Sequence, residues 1–220
     1  MSARNTAIHI FDVDRTITRH STGRRFAEYG HTQGLFSLVD LLRFPMFYIR
    51  YRFGFVSPQQ MASQSLPVAG MSQAELEKHA TACFTSRILP DLYEEVEPMV
   101  ADLRQSGASV ALATTTLALL VRPLARHLGI DTVISTELEF VAGVATGRIV
   151  GLPCFREEKK RRVLSHLGSL ELQPQDAWFY TDSHSDIPLL RAVGHPVAVN
   201  PERRLARTAR KEGWPIRYFG

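Results

Sequence analysis

The chain has 220 residues, 45% of them hydrophobic, and 26 Lys and Arg against 22 Asp and Glu give a formal net charge of +4. This length and hydrophobic content allow a substantial buried core, which excludes a disordered protein and fits one large domain or a core with an inserted subdomain. The two cysteines, Cys83 and Cys154, have no metal-binding spacing, and the start MSARNTAIHIF lacks the hydrophobic region of a signal peptide. We therefore expect a reducing, cytoplasmic setting.

Apolar runs of strand length recur along the chain and alternate with segments of helical periodicity. Such alternation is typical of a doubly wound α/β fold, in which helices cover a parallel sheet. The predicted strands are AIHIFDV, SVALATT, TVISTELEF, AWFYTD, PVAVN and PIRYF. The predicted helices are 118–128, 157–168, 186–193 and 202–212, which end near Gly129, Gly168, Gly194 and Gly213, respectively.

Residues 20–90 interrupt the alternation, because they have helical and aromatic patterning and no convincing strand. We interpret them as a helical cap inserted after the first strand, which leaves 1–19 and 91–220 as the core. An amphipathic helix is expected from Leu92 toward Gly107. The segment ELEFVAGVATGRIVG, residues 137–151, predicts a short hairpin.

Polar side chains follow three of the predicted strands, namely Asp12 and Asp14, then Thr114, Thr115 and Thr116, then Asp182 and Asp186. The carboxyl ends of parallel strands face one crevice, so we expect these groups to meet. Two carboxylates at the end of an apolar strand are costly without a cation. Oxygen ligands without a His or Cys cluster suit a hard cation, and Mg²⁺ is the natural choice.

A metal alone does not explain Thr16, the threonine triplet or a lysine near these acids. A transferring phosphoryl group needs hydrogen-bond donors on its oxygens and positive charge beside it. Phosphate chemistry therefore accounts for all of these residues.

Four segments in this order resemble the haloacid dehalogenase (HAD) superfamily of phosphohydrolases, in particular its phosphoserine-phosphatase-like branch, HAD-IB. FDVDRT is similar to the first motif, D-x-D-x-T, and ALATTTLALLVRPLARHLGID to the second-motif segment. CFREEKKRRVLSHL resembles the lysine segment, and YTDSHSDIPLL with VGHPVAVNPERRL the acidic segment and its sequel. The resemblance covers nearly the whole chain and implies a Rossmann-like catalytic core with an inserted cap.

The resemblance also implies a Mg²⁺-dependent phosphatase with covalent catalysis. Asp12 would attack phosphorus to form an aspartyl-phosphate, and Asp14 would protonate the leaving alcohol and then deprotonate the hydrolytic water. Mg²⁺ would be held by Asp12, the carbonyl of Asp14 and Asp182, with Asp186 as a ligand or an orienting group.

Donors and positive charge for the phosphate are implied on the same grounds. Thr16, Thr114, Thr115 and Lys159 would bind the phosphoryl group, and Lys159 would also neutralise Asp12. Each residue taken singly also has a non-catalytic interpretation. Threonine is common in strands, so Thr114 could be an ordinary strand residue, and Asp186 suits the N-terminus of a helix. Lys159 could be a surface charge, and Lys160 is the neighbouring alternative for its role. Arg15 and Ser185 stand where many relatives have a small residue and Asn.

The substrate is expected to be a phosphorylated small molecule or a lipid head group. Phosphoserine phosphatases resembling this chain have an acid five residues after the motif threonine, where this chain has Ser21, and Arg19, Arg24 and Arg25 favour extra negative charge on the substrate. The alternatives are phosphatidylglycerophosphate, phosphoserine, and a non-catalytic HAD-like binding module.

Basic and aromatic residues concentrate in LFSLVDLLRFPMFYIRYRFGFV, residues 35–56. Three arginines and Pro45 interrupt its apolar run, which excludes an ordinary membrane span. It is either a packed part of the cap or a peripheral contact with an anionic membrane surface. The other basic clusters come without a zinc-finger spacing or RNA-recognition motif, so nucleic acid is not an expected partner.

Overall fold

The structure is a computed structural model and describes residues 7–40, 60 and 65–220. Its main sheet contains six parallel strands. They are β1 (Ile8–Phe11), β2 (Ser109–Leu117), β3 (Thr132–Thr136), β6 (Ala177–Thr181), β7 (His195–Val199) and β8 (Ile216–Arg217). The order β3-β2-β1-β6-β7-β8 places β1 between β2 and β6, and all four of its residues are buried. The predicted doubly wound α/β class is confirmed.

Helices follow most strands, as the alternation of the sequence predicts. The helices Ala118–His127, Glu157–Ser169 and Arg203–Glu212 lie within one or two residues of their predicted bounds, and Val96–Gln105 precedes β2. The stops at Gly129 and Gly213 have left-handed backbone, with φ of 64° and 70°.

Three details of the sequence prediction are wrong. TVISTELEF is two strands, because the chain leaves the main sheet at Glu137, whose carbonyl accepts a hydrogen bond from Val150. The predicted helix 186–193 is a 3₁₀ turn, His184–Asp186, followed by the short helix Ile187–Leu190. Gly168 lies inside its helix rather than beyond the end.

The predicted hairpin is confirmed as β4 (Leu138–Val141) paired antiparallel with β5 (Val144–Ile149). Backbone hydrogen bonds tie it to the residues that precede the helix Gln73–Cys83. The amide of Leu66 donates to Gly147, at 2.7 Å, and the amide of Ala145 donates to Met71, at 2.8 Å. The hairpin therefore contacts the segment that the sequence analysis predicts to be an insertion.

Between β1 and residue 91 the described residues are helical in Thr22–Thr32 and Gln73–Cys83, then in a π-helical turn, Phe84–Ile88, and a 3₁₀ turn, Leu89–Asp91. Their buried residues share one hydrophobic cluster with the helix Ala118–His127. The division into a core, 1–19 and 91–220, and a cap, 20–90, stays a prediction.

The aromatic segment 35–56 is described only as far as residue 40. Phe36 is buried and its ring packs against Gly30, where an added Cβ would lie 2.3 Å from the ring. Residues 41–56, on which the predicted membrane contact mostly depends, lie outside the described residues. None of the helices in the described part of the chain has both the length and the hydropathy needed to cross a bilayer.

Two glycines on either side of β6 give opposite expectations for the same substitution. A Cβ at Gly194 would lie 2.1 Å from the backbone oxygen of Gln175, whereas nothing lies within 4 Å of a Cβ at Gly168. We expect Gly194→Ala to destabilise the protein by about 1–3 kcal/mol through overpacking. Gly168→Ala should stabilise it by about 0.5 kcal/mol, because alanine favours a helix. Urea unfolding measures both, and equal shifts would contradict the close approach at Gly194.

Candidate active site

A cavity opens at the carboxyl ends of β1, β2 and β6, where the sequence predicts the chemistry. Seven of the eight predicted site residues line it, and Thr16 does not. Its lining residues are Asp12, Asp14, Arg15, Ser21, Thr114, Thr115, Lys159, Asp182, Ser183, Ser185 and Asp186. A larger groove lies at the opposite, amino-terminal ends of β6 and β7. It is lined by Trp178, His195 and Trp214 among others, and Glu212 is the single acid among its lining residues. We therefore assign the site to the carboxyl-end cavity.

Lys159 lies between two buried carboxylates. Its Nζ is 3.2 Å from Oδ1 of Asp12 and 2.8 Å from Oδ2 of Asp186, and its side chain is 2% exposed. Lys160, the alternative lysine, instead pairs with Glu157 at the helix surface. Of these two lysines, Lys159 lines the cavity and Lys160 does not.

Arg162 fixes the helix that supplies Lys159. Its guanidinium donates to the backbone carbonyls of Ser135, at 2.5 Å, and Leu152, at 2.6 Å. Because Ser135 belongs to β3, these bonds hold the first turns of the helix against the carboxyl end of the sheet. The lysine is thus positioned by its own helix and by a strand far from it in sequence.

The buried Asp12–Lys159–Asp186 cluster carries one excess negative charge, and the buried Asp182 beside it adds another acid. Burial raises the pKa of Asp12 to about 7; Lys159 opposes that rise, and Asp186 and Asp14 add to it. Burial works to lower the pKa of Lys159, but Asp12 and Asp186 outweigh burial and raise it. Lys159 therefore stays charged, and a further positive charge beside Asp12 would lower the pKa of Asp12 and keep it ionised.

Asp186 has one oxygen with protein partners and one without. Its Oδ2 accepts hydrogen bonds from Lys159 and from Thr181 Oγ1, each at 2.8 Å. Its Oδ1 is buried and has no hydrogen-bond partner in the part of the chain that the structure describes. A buried carboxylate oxygen without a donor is costly unless a cation or a cation-bound water faces it.

The donor set of the cavity fits a hard cation. Within residues 7–40, 60 and 65–220, no three His, Cys, Asp or Glu side chains are arranged to hold a metal by themselves. A cation such as Mg²⁺ keeps several waters and needs only one or two carboxylates with a carbonyl and a phosphate oxygen. Asp12, Asp182 and the unpartnered oxygen of Asp186 are groups of this kind.

The loop with Asp182 is fixed by residues from two other segments. The amide of Asp182 donates to Thr16 Oγ1, at 2.9 Å, and Thr16 is fully buried. The carbonyl of Asp182 accepts from the amide of Glu202, at 3.0 Å, and the Glu202 carboxylate pairs with the amide and ring of His184. Thr16 thus supports the acidic loop instead of lining the cavity.

Glu202 was not predicted as a site residue. The sequence contains a signal for it, because PERRL is part of the sequel to the acidic motif. Residues after β7 return to the carboxyl end of the sheet, where Glu202 meets the loop of Asp182. The same contact engages His184, so His184 is paired rather than free to act as a base.

Asp14 is surrounded by donors. Its Oδ1 accepts from the amide and the hydroxyl of Thr22, each at 2.7 Å, and its Oδ2 accepts from Ser21 Oγ, at 3.1 Å, and Thr116 Oγ1, at 3.0 Å. Ser21, Thr22 and Thr116, hereafter the Asp14 clamp, were not assigned to this role from the sequence. Thr114 is buried on the cavity wall, and its hydroxyl accepts from the amide of Thr116.

The three arginines expected to favour an anionic substrate have partners within the protein and do not line the cavity, so the substrate preference derived from them stays a prediction without support from this site. Arg25 makes a double hydrogen bond to Asp91, at 2.5 and 2.9 Å, and Arg24 pairs with Glu28 at 2.7 Å. Arg19 donates to the carbonyl of Gly220. Among the described residues, Arg15 is the single arginine that lines the cavity, and its backbone φ is 60°.

Neither cysteine is a candidate nucleophile. Cys83 and Cys154 are buried, and burial raises the pKa of each thiol to about 12. A thiol with so high a pKa carries almost no reactive thiolate at neutral pH.

Comparison with known proteins agrees with this geometry. The family model of haloacid dehalogenase-like hydrolases matches residues 10–191, which include all the predicted site residues. The chain belongs to this family. It is an enzyme, a HAD-family phosphatase, and the alternative of a non-catalytic HAD-like binding module is set aside.

Its relatives include two named phosphatases. The chain is 29% identical over 216 residues to a histidinol-phosphatase of Neisseria meningitidis serogroup C (strain 8013), with 96% of this chain and 97% of that protein covered. It is 29% identical over 221 residues to the phosphoserine phosphatase SerB1 of Mycobacterium tuberculosis, with 97% and 71% covered.

The solved structures support the fold. A protein of unknown function from Bordetella pertussis Tohama I is 30% identical, with a TM-score of 0.85 and coverage of 96% of this chain and 97% of that one. A phospho-aspartyl intermediate analogue of phosphoserine phosphatase has a TM-score of 0.69 at 18% identity, with 96% and 92% covered. At this identity the second likeness concerns the fold alone.

The two neighbouring lysines provide a matched test of the buried charge cluster. Lys159→Met leaves Asp12 and Asp186 facing each other without their shared cation, and we expect a loss of about 3–5 kcal/mol in unfolding free energy. Lys160→Met changes a partly exposed side chain and should stay within about 0.5 kcal/mol of the parent. Urea unfolding followed by circular dichroism gives both values. Equal stability of the two variants would refute the assignment of Lys159 to the cluster.

Proposed function

We propose that this phosphatase hydrolyses phosphate monoesters of small molecules through an aspartyl-phosphate on Asp12, with Mg²⁺ as its cofactor. The observation that carries the proposal is the Asp12–Lys159–Asp186 cluster, with its excess negative charge and an oxygen of Asp186 that has no partner in the described part of the chain. Next to the cluster is a second carboxylate, Asp14, in a different hydrogen-bonded setting. Two neighbouring carboxylates in different settings suit two different roles.

Asp12, the carbonyl of Asp14 and Asp182 would hold Mg²⁺, with Asp186 as a further ligand or an orienting group. When bound, the ion supplies positive charge for the phosphoryl oxygens and keeps Asp12 ionised. The lysine and threonines add charge and donors from the protein. Lys159 neutralises the phosphate, and Thr114 and Thr115 are placed on the cavity wall to donate to its oxygens.

The reaction divides into two displacements at phosphorus. In the first, a carboxylate oxygen of Asp12 forms a bond to phosphorus as the ester oxygen leaves, and Asp14 donates its proton to that oxygen. In the second, Asp14 takes a proton from a water molecule, whose oxygen attacks phosphorus while the bond to Asp12 breaks. Inorganic phosphate leaves, and both carboxyl groups return to their starting forms.

Histidinol phosphate is the first candidate substrate. The Neisseria histidinol-phosphatase and this chain match over almost their entire lengths, whereas SerB1 is longer than the matched region. Ser21 lines the cavity where related phosphoserine phosphatases have an acid, and the acids on the wall are all assigned to the reaction. Phosphoserine is therefore the second candidate.

The lipid alternative, phosphatidylglycerophosphate, loses part of its basis. It depended on Arg19, Arg24 and Arg25, which have other partners, and on residues 35–56, which are described only as far as residue 40. A small water-soluble ester needs neither feature.

Replacing Asp12 tests the covalent mechanism. Asp12→Asn removes the nucleophile and also removes a buried charge, so we expect activity to fall by at least about 10³-fold while the protein stays folded. Histidinol phosphate and p-nitrophenyl phosphate serve as substrates, and Asp131→Asn, an exposed aspartate, serves as the control. Turnover near the parent level in folded Asp12→Asn would exclude Asp12 as the nucleophile.

Removal of the metal tests the cofactor. We expect EDTA to abolish hydrolysis of p-nitrophenyl phosphate, Mg²⁺ to restore it, and Ca²⁺ to inhibit it, since its larger and looser shell misplaces the attacking carboxylate. Asp182→Ala should raise the Mg²⁺ concentration for half-maximal activity by at least about tenfold. Full activity in metal-free buffer would rule out the proposed site.

A further inference from the structure

The Asp14 clamp has a function beyond supporting the backbone. We propose that Thr22 and Thr116 are positioning residues that orient the carboxyl group of Asp14 toward the leaving group of the ester. The inference rests on the proposed function, because it assumes that Asp14 is the acid of the first displacement. Neither threonine lines the cavity, and the hydroxyl of each donates to the carboxyl group of Asp14.

The clamp joins parts of the chain that are far apart in sequence. Thr22 is the first residue of the helix Thr22–Thr32, and Thr116 lies near the carboxyl end of β2. Their hydroxyl groups are also within 3.3 Å of each other. Both oxygens of Asp14 are held, one by the helix and one by the strand, which leaves the carboxyl plane little freedom to turn.

Ordinary helix capping does not account for these contacts. The helix has its own N-cap, because the hydroxyl of Ser21 accepts from the amide of Arg24, at 3.4 Å. An acid that only capped the helix would accept hydrogen bonds from the backbone amides of the first turn. Three of the four donors to Asp14 are instead side-chain hydroxyls. The hydroxyl of Thr116 comes from the core and has no part in capping.

Hydroxyl partners suit a group that gives and takes a proton. A hydroxyl can donate to a carboxylate and can accept from a carboxyl group, whereas a backbone amide can only donate. Among the described residues, Oδ1 accepts from the amide and the hydroxyl of Thr22, and Oδ2 accepts from the hydroxyls of Ser21 and Thr116. The hydroxyl of Thr116 can therefore hold Asp14 both as a carboxylate and as a carboxyl group.

Two esters whose leaving groups differ in their need for a proton can distinguish a positioning role of the threonines from a structural one. p-Nitrophenolate leaves readily without a proton, whereas phenolate depends more on the acid, and the two esters have nearly the same shape. We expect Thr116→Val to lower kcat/KM for phenyl phosphate about tenfold more than for p-nitrophenyl phosphate, a part of the 10²–10⁴ that a positioned acid contributes. Thr22→Val keeps its amide on Oδ1 and should act in the same direction with a smaller effect.

Matched variants complete the test. Thr116→Ser and Thr22→Ser keep the hydroxyls and should restore the ratio of the two esters, and Thr32→Val, on the same helix away from Asp14, should leave it unchanged. Asp14→Asn gives the largest change expected in the ratio of kcat/KM for the two esters. The double variant Asp14→Asn/Thr116→Val should show the same ratio as Asp14→Asn alone. If Thr116→Val does not fold, as judged by thermal unfolding, Thr22→Val carries the test.

The outcomes are separable. Equal losses on both esters, or no loss, would overturn the positioning role while the proposed function stands. A further change of the ratio in the double variant would show that Thr116 acts apart from Asp14 and would also overturn it. Failure of the parent protein to hydrolyse either ester would instead refute the proposed function, and with it this inference.

Discussion

The site depends on one electrostatic constraint, the presence of more buried negative than positive charge at the carboxyl ends of β1 and β6. Removing ions from water costs several kcal/mol each, and the attraction between them offsets that cost only when the geometry is good and the remaining lone pairs have partners. Lys159 satisfies one oxygen each of Asp12 and Asp186, and Thr181 adds a second donor to Asp186. Oδ1 of Asp186 has no hydrogen-bond partner among the residues that the structure describes, and at this oxygen the described side chains leave the charge balance incomplete.

Because groups of like charge repel each other, the candidate site depends on contacts between distant parts of the chain. Thr16 of the first motif binds the amide of Asp182 in the last, and Glu202, after β7, binds the same loop from its other side. Arg162 holds the helix of Lys159 against β3 in the same manner. Such cross-connections position the groups before a substrate arrives, which is the condition for electrostatic stabilisation of a transition state.

The sequence predicts what is periodic or local, and it does not predict contacts between distant segments. Strand ends carry Asp12, Thr114 and Asp182 because alternation and apolar runs locate the strands, and parallel pairing then brings those ends together. The pairing of Arg25 with Asp91 spans 66 residues. From sequence the arginine is an unassigned cation, and its pairing with Asp91 cannot be predicted. Gly194 was predicted as a helix stop, whereas its lack of a side chain admits the backbone of Gln175, a contact that no local pattern encodes.

The inserted segment is coupled to the chemistry through two kinds of contact. Its helix Gln73–Cys83 buries Leu76 and Ala80 in the same cluster as Leu120 and Leu124 of the core. Burial of apolar surface contributes about 25 cal/mol per Å², so the two parts stabilise each other. Moving one relative to the other would expose apolar surface and cost free energy. The first helix of the segment meanwhile begins with Thr22, whose amide and hydroxyl hold Asp14. A shift of that helix relative to β2 would separate Thr22 from Thr116 and free the carboxyl group of Asp14. In the proposed reaction, the packing of the predicted insertion on the predicted core would therefore also fix the direction of the carboxyl group that protonates the leaving group.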